Sequence, residues 1–265
     1  YYGSLNEKNA VPVILVHGWG GSRKDYDKLA LGLQAAGHAV IVPDLRGHGG
    51  SIARKLNGAQ AAQPIAFNAL KPGEIPAMAT IDLEAVKQYL MKENNAGKLN
   101  IEMLCIVGSE FGALISVNWA VQDWSWQQLP NIKQGQDVKA LVLISPETQF
   151  KALKMQNLSQ FPAVAQLSML MIAGKKNNHK AAQEVKRLEN TLERFHYKYS
   201  IEPKDDEKIR AEKEKKRDFF TYLPDTTLQG TKLLSDDSLQ LLAAVNTFIQ
   251  RRLVNNRDLY AWTSR

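Results

Sequence analysis

Residues Val107-Gly108-Ser109-Glu110-Phe111-Gly112-Ala113 join an apolar run to a stretch with helical spacing of its apolar side chains. Two glycines four residues apart allow a strand and the following helix to approach closely, because neither residue has a Cβ atom. Glu110 lies midway between the two glycines. The stretch therefore predicts a sharp strand-turn-helix connection near the middle of the chain.

Short apolar runs alternate with amphipathic stretches on both sides of this connection. The runs cover residues 11–16, 39–42, 101–107, 140–144 and 167–173, with a weaker sixth at 219–223. Helical spacing occurs in residues 25–36, 81–90, 111–121, 179–195 and 236–253. This alternation predicts an α/β protein with a mostly parallel central sheet between helices. We expect a pocket to be open or covered only by residues 51–79, which have no clear periodicity.

The composition is that of an ordinary globular protein. With 265 residues, 44% hydrophobic and 23% charged, the chain can bury a large core, which excludes disordered, fibrous and coiled-coil classes. No apolar run reaches the roughly 18 residues needed to cross a bilayer, so no membrane partner is expected. The single cysteine, Cys105, lies in an apolar run and excludes an internal disulfide and a cysteine-based metal site.

The net charge of +7 does not indicate a nucleic-acid partner, because the charges are not concentrated in a basic patch. Residues 202–218 are the most charged segment, and their seven basic and seven acidic residues cancel. This segment is typical of a solvated helix with ion pairs between residues four apart.

Glycine-rich turns follow the first two predicted strands. They are His17-Gly18-Trp19-Gly20-Gly21-Ser22 and Pro43-Asp44-Leu45-Arg46-Gly47-His48-Gly49-Gly50-Ser51. Together with the turn at Glu110, these motifs stand in the order found in the α/β-hydrolase superfamily, which the chain resembles from about residue 11 to about residue 253. The resemblance implies an α/β-hydrolase fold, and residues 145–166 are too few for a large cap domain.

The resemblance also implies that residues 1–265 form a single domain. The complete family fold has an antiparallel hairpin before its first parallel strand, and we expect this hairpin to be missing or truncated here. The chain starts at Tyr1 rather than at a methionine, so the sequence leaves open whether an upstream segment, either a signal peptide or further strands, has been removed. The sequence leaves the cellular compartment and the oligomeric state open.

None of the three positions that correspond to the family's catalytic triad holds its usual residue. In the family, a serine nucleophile lies between the two glycines, an acid follows a later strand, and a histidine follows the last strand. Glu110, Asn177 and Gln229 occupy these positions here. Ser109 is a lesser alternative for the turn residue, because that frame would place larger residues where the two glycines are needed.

These replacements remove the chemistry of a serine hydrolase. A triad needs a hydroxyl group, a base that removes its proton, and a carboxylate that orients the base. Amides take up no proton near neutral pH. We therefore predict a static network in which Asn177 and Gln229 donate hydrogen bonds to the Glu110 carboxylate.

The first functional hypothesis is a non-catalytic protein that binds a small molecule or a protein partner. Its ligand would contact the first glycine-rich turn, through Gly18, Trp19 and Gly20, and the residue after the turn at Glu110, Phe111. We call this turn, residues 108–112, the elbow. No motif implies a metal ion or an organic cofactor.

The alternative is a hydrolase of esters or epoxides that uses Glu110 as a carboxylate nucleophile. Haloalkane dehalogenases and epoxide hydrolases of the superfamily use aspartate at this position, together with a histidine that activates water. His179 and Glu147 would have to supply the displaced base and acid. A hydrogen bond from Gln229 to Glu110 would favour the non-catalytic hypothesis, and His179 one water away from Glu110 would favour the hydrolase.

Overall fold

A parallel sheet forms the centre of the molecule. The computed structural model describes residues 1–54, 63–130, 133–196 and 201–265. The strands in these ranges are β1 (Pro12–Val16), β2 (Ala39–Ile41), β3 (Ala53–Arg54), β4 (Gln63–Pro64), β5 (Leu104–Ser109), β6 (Val138–Ile144), β7 (Gln149–Phe150), β8 (Leu153–Lys154), β9 (Ser168–Ile172) and β10 (Phe219–Tyr222). Six of them pair in the order β10-β9-β6-β5-β1-β2, with every neighbouring pair parallel. The predicted α/β class and mostly parallel sheet are confirmed.

Helices connect these strands. The α-helices are α1 (Asp27–Ala35), α2 (Glu74–Ala77), α3 (Leu83–Asn95), α4 (Phe111–Ser125), α5 (Pro162–Ala165), α6 (Lys180–His196), α7 (Glu207–Lys216) and α8 (Leu241–Arg252). Met78–Asp82 is a short π-helix, and short 3-10 segments cover Glu7–Asn9, Arg23–Tyr26, Phe67–Ala69, Ile101–Met103, Leu158–Gln160, Lys176–Asn178, Gly230–Ser235, Asp237–Leu239 and Val254–Leu259. None of the described helices combines the length and apolar character required to cross a membrane.

The main differences from the predicted elements lie at their ends and in the long loop. The predicted run 101–107 begins with a 3-10 turn, because the Asn100 side chain accepts a hydrogen bond from the Glu102 N–H and closes that turn. The last helix begins at Leu241, because Gln240 has φ +47° and interrupts the helix. Residues 51–79 contain β3, β4 and α2, and the part of this loop at 55–62 lies outside the described residues.

Apolar side chains cover both faces of the sheet. Strand β5 is buried along its whole length, and its residues alternate between the two cores. Ile106 packs in the core on the side of α3, α4 and α6, whereas Val107 packs in the core on the side of α1 and α8. Cys105 faces the second core, where burial raises the pKa of its thiol, so it is a structural residue.

A buried charge network lies at the amino ends of β5 and β6, at the edge of the sheet opposite the elbow. The Lys87 ammonium lies 3.3 Å from an Asp123 carboxylate oxygen and 3.5 Å from an Asp137 oxygen, and both aspartates are fully buried. Asp123 also accepts hydrogen bonds from the N–H groups of Asp137 and Val138, which fixes the start of β6.

Replacing Lys87 by methionine should destabilise the fold strongly, because it leaves the fully buried Asp123 carboxylate without its cation, whereas Asp137 keeps Lys133 and Arg265. We expect the free energy of unfolding to fall by about 3 kcal/mol or more in urea denaturation. Lys98→Met is the matched control, since Lys98 is exposed and pairs with Glu93 on the surface. Its effect should stay below about 1 kcal/mol. Equal effects of the two substitutions would contradict this account of the network.

Candidate functional site

The sharp connection between β5 and α4 has Glu110 at its apex, with φ +53° and ψ −117°. A Cβ atom at Gly108 would lie 2.6 Å from both the Gly112 carbonyl oxygen and the Ser116 Oγ. A Cβ atom at Gly112 would overlap the carbonyl oxygen of Val16 in β1. The two glycines therefore allow β1, β5 and α4 to meet, and this close approach forces the strained backbone at Glu110.

Ser109, the lesser alternative for the turn residue, lies inside the protein. It is the last residue of β5, and its side chain is fully buried. Glu110 is the neighbouring residue that is partly exposed. A ligand at the carboxyl edge of the sheet would therefore meet Glu110 and not Ser109.

A cavity of about 500 Å³ lies beside Glu110 at the carboxyl edge of the sheet. Parallel α/β sheets generally bind their ligands at this edge. Its walls come from the segment after β6, from the start of α6 and from the loop after β10. The lining residues are Glu110, Ser145, Pro146, Glu147, Thr148, Gln149, Phe150, Lys151, His179, Lys180, Ala181, Glu184, Arg187 and Gln229. The described part of the loop 51–79 does not line this cavity, so the β7–β8 segment takes the place expected for that loop.

The Glu110 carboxylate lies against the backbone of two glycines. A Cβ atom at Gly18 would be 2.7 Å from Glu110 Oε2, and one at Gly230 would be 2.5 Å from Glu110 Cδ. Within the described ranges, no group donates a hydrogen bond to this carboxylate. Burial raises the pKa of Glu110, and the positive charge of Lys232 opposes this shift only in part.

The side-chain amide of Gln229 is held by two hydrogen bonds, and an amide held in this way cannot transfer a proton. Its Nε2 donates to the Gly174 carbonyl oxygen at 2.8 Å, and its Oε1 accepts from the Ser145 hydroxyl at 2.7 Å. The Ser145 Oγ in turn accepts from the Gly230 N–H at 2.8 Å. The Gly174 carbonyl oxygen can only accept a hydrogen bond, so it must face the amide nitrogen of Gln229. This fixes the orientation of the Gln229 amide.

The predicted network around Glu110 is wrong. The loop after β10 runs along Gly174, with the Lys175 N–H bonded to the Pro224 carbonyl, and this path places Gln229 beside Gly174. Asn177 is exposed in a left-handed turn with φ +59°, and no described group hydrogen-bonds to its side chain. Neither amide therefore donates to the Glu110 carboxylate.

His179 and Glu147 do lie in the same cavity as Glu110. The Nδ1 of His179 accepts the Ala181 N–H at 3.2 Å, at the start of α6. A neutral ring with an accepting Nδ1 must carry its proton on Nε2, so the free nitrogen of His179 is a donor and not a base. Burial raises the pKa of Glu147, the Glu110 charge raises it further, and Lys180 opposes both.

The four residues predicted to contact a ligand are not part of the cavity lining. Phe111 is fully buried, and the Trp19 ring packs 5.2 Å from Phe111 and 4.6 Å from Phe150, measured between ring centroids. Gly18 lies against the Glu110 carboxylate, as described above, and Gly20 is exposed. Phe150 and Ser145 take the expected place on the cavity wall. Ser145 directly follows the predicted strand 140–144, and this position was the available sequence signal for it.

The polar residues of the first two glycine-rich turns hold these turns together. His17 Nε2 accepts the Leu45 N–H at 3.1 Å, and burial lowers the pKa of the His17 ring. Asp44 accepts hydrogen bonds from the N–H groups of Arg23 and Gly50, at 2.7 and 2.8 Å.

In the described parts of the chain, no three His, Cys, Asp or Glu side chains converge closely enough to hold a metal ion.

Comparisons with known proteins point to one fold. A family model described as alpha/beta hydrolase fold matches residues 11–247. The structure is similar to an esterase of Pyrococcus furiosus, with a TM-score of 0.57 and 15% identity over 93% of this chain and 83% of that chain. It is also similar to an esterase of the fungus Rhizomucor miehei, with a TM-score of 0.57 and 13% identity over 95% and 77% of the two chains. No curated protein matches the sequence. At these identities the structural likeness shows the fold alone.

Gly112→Ala should prevent the close approach of α4 to β1. The new methyl group would overlap the Val16 carbonyl oxygen, and neither element can shift without disturbing the core. We expect the melting temperature to fall by about 6 °C or more, or the protein to fail to fold. Gly73→Ala is the control, because nothing lies within 4 Å of a Cβ there. A Gly112→Ala protein as stable as the control would refute the assigned packing.

Glu147→Gln should raise stability at neutral pH. The folded-state pKa of Glu147 lies above its ordinary value, so the fold favours the neutral carboxyl and loses this contribution as pH rises through that pKa. We expect a melting temperature higher by about 1–2 °C near pH 7 and unchanged near pH 4. Glu212→Gln should give no gain, because the Lys216 ammonium lowers the pKa of Glu212. A gain that persists at low pH would contradict the electrostatic cause.

Proposed function

Since the chain belongs to the α/β-hydrolase fold family, we propose that it is a non-catalytic member whose cavity beside Glu110 binds a small molecule. The observation that carries this proposal is the double hydrogen bond of Gln229 to Ser145 and to the Gly174 carbonyl. A catalytic group at this position must exchange a proton with the nucleophile, and an amide fixed in this way exchanges none.

The second step of covalent catalysis, the hydrolysis of the intermediate, is also unsupported by the surroundings of Glu110. A carboxylate nucleophile forms an ester with an epoxide, or a mixed anhydride with an ester whose alcohol leaves, and a second group must then activate water to release the product. Gln229 supplies no base. The accepting nitrogen of His179 is occupied by the Ala181 N–H, so His179 supplies none in this arrangement.

Ligand binding gives the cavity a function that fits its features. Glu110 holds a strained backbone and a partly buried carboxylate without a hydrogen-bond donor among the described residues. Both features reduce stability, and features of this kind are common where a ligand completes the interactions. The cavity of about 500 Å³ lies within the size range of small-molecule sites, which favours a small molecule over a protein partner.

The second candidate function is a hydrolase of esters or epoxides with displaced catalytic groups. The observation in its favour is that Glu110, Glu147 and His179 line one cavity. For this function the His179 ring would have to release the α6 backbone and turn a free nitrogen towards water. The hydrolytic activity would also have to depend on the Glu110 carboxylate.

A substrate panel separates the two functions. Purified protein is assayed with short-chain and long-chain nitrophenyl esters and with an epoxide, next to an active esterase as the positive control. We expect the protein and its Glu110→Gln variant to match the buffer blank, because Gln229 is an amide and the accepting nitrogen of His179 is occupied by the Ala181 N–H. Turnover that Glu110→Gln abolishes, in a variant that stays folded, would overturn the non-catalytic proposal.

A further inference from the structure

We propose that residues 260–265 are a peptide docked in a preformed groove, which they leave and re-enter while the sheet stays folded. We call these residues the strap. The groove lies at the amino edge of the sheet, opposite the cavity beside Glu110, so this inference does not depend on the proposed function. The open groove recognises an extended peptide by its backbone carbonyl groups and by one arginine side chain.

The strap lies on the surface and has no regular secondary structure. It crosses the segments that lead into β1, β5 and β6. The Lys8 ammonium lies 3.8 Å from the centre of the Trp262 ring, and Trp262 Nε1 donates to the Leu99 carbonyl oxygen at 3.1 Å. The Arg265 guanidinium pairs with Asp137 at the start of β6. Side-chain contacts, and not strand pairing, therefore hold the strap in place.

Two buried asparagine side chains of the groove bind the backbone of the strap. Asn100 Nδ2 donates to the Tyr260 carbonyl oxygen at 2.8 Å. Asn94 Nδ2 donates to the Thr263 carbonyl oxygen at 2.9 Å. Every peptide has backbone carbonyl groups, so these two bonds set the path of an occupant and not its sequence.

The rest of the fold orients these two asparagines independently of the strap. Asn94 Oδ1 accepts the Ile101 N–H at 3.0 Å, and Asn100 Oδ1 accepts the Glu102 N–H at 3.1 Å. Because each amide oxygen is fixed in this way, each amide nitrogen keeps its direction when the strap leaves. Among the described residues, Asn100 Nδ2 would then have no acceptor, and Asn94 Nδ2 would keep only Asn95 Oδ1 at 3.2 Å. A buried donor without an acceptor is unfavourable, so the groove favours an occupant.

A pocket for an arginine side chain lies next to the asparagines. The Arg265 guanidinium pairs with the fully buried Asp137 and lies 3.6 Å from a Glu102 carboxylate oxygen. It also donates to the Lys133 carbonyl oxygen at 2.9 Å, and Asn95 Oδ1 accepts the Arg265 N–H at 2.9 Å. The planar guanidinium has donors in several fixed directions, which suits two carboxylates and a carbonyl group together. This pocket gives the groove its preference for arginine.

The carboxylates of this pocket keep cations when the strap leaves. Asp137 stays 3.2 Å from the Lys133 ammonium and 3.5 Å from the Lys87 ammonium. Glu102 stays paired with Lys133. Release therefore breaks the bonds of the strap itself and leaves the buried charge network intact. A surface segment held in this way opens at a lower free energy than the sheet beneath it.

Hydrogen exchange in the unmodified protein, followed by NMR, tests the reversible docking. We expect the Arg265 amide to exchange more than about tenfold more slowly than in a free peptide of residues 260–265, because Asn95 binds it. It should exchange more than about tenfold faster than the Ile101 and Glu102 amides, which open only with the rest of the fold. An Arg265 amide as slow as these two, or as fast as in the free peptide, overturns reversible docking.

A fluorescein-labelled peptide amide with the sequence Tyr-Ala-Trp-Thr-Ser-Arg tests the groove by fluorescence anisotropy with the full chain. The double variant Trp262→Ala, Arg265→Ala should bind it at least about tenfold more tightly than the unmodified protein, because its own strap competes less for the groove. Adding Asn100→Asp should weaken this binding at least about fivefold, since aspartate still accepts the Glu102 N–H but donates nothing. Arg257→Ala, an exposed arginine outside the groove, is the matched control and should behave like the unmodified protein.

A second peptide, with alanine in place of the arginine, tests the arginine pocket. It should bind the double variant at least about tenfold more weakly than the first peptide. Equal binding of the two peptides overturns the arginine pocket. Equal binding of the first peptide to the double variant and to the unmodified protein, or no binding to a folded double variant, overturns the groove. A double variant that fails to fold overturns the proposal as well, because the strap would then be part of the folded core.

Discussion

The close approach of α4 to β1 is the constraint on which the rest of the structure depends. Gly112 lies against the Val16 carbonyl oxygen, and Gly108 lies against the first turn of α4. No larger residue fits at either position, so the chain turns within one residue and Glu110 takes a positive φ. This turn brings the Glu110 carboxylate to the carboxyl edge of the sheet, where the ends of the neighbouring strands supply the cavity walls.

The chemistry at this edge is decided by the partners of Gln229. An amide can donate from its nitrogen and accept at its oxygen, and here the Gly174 carbonyl and the Ser145 hydroxyl occupy both sites. The result is a fixed loop rather than a path for a proton. Glu110 is left without a hydrogen-bond donor in the described part of the chain, so its carboxyl group remains open to the cavity.

The sequence predicted the sheet and the turn well, because both depend on local patterns. Buried strands appear in the sequence as apolar runs. The two glycines of the elbow are needed because a Cβ atom at either position would overlap neighbouring atoms. The contacts of Gln229 and of Trp19 could not be predicted in this way, since they depend on which distant segments meet. The left-handed Gln240, which shortens the last helix, also has no signal in the apolar spacing.

Isotope labelling tests the central claim, the absence of covalent chemistry at Glu110, most directly. The protein is incubated with the nitrophenyl esters and the epoxide in water enriched in ¹⁸O, and the peptide that contains Glu110 is analysed by mass spectrometry. A carboxylate nucleophile would form an ester with the epoxide, or a mixed anhydride with the nitrophenyl esters as nitrophenolate leaves. Attack of water on the Glu110 carboxyl carbon of either intermediate would leave ¹⁸O in the side chain. The account predicts neither an adduct nor a mass increase at Glu110. An ¹⁸O label in the Glu110 carboxylate would contradict it.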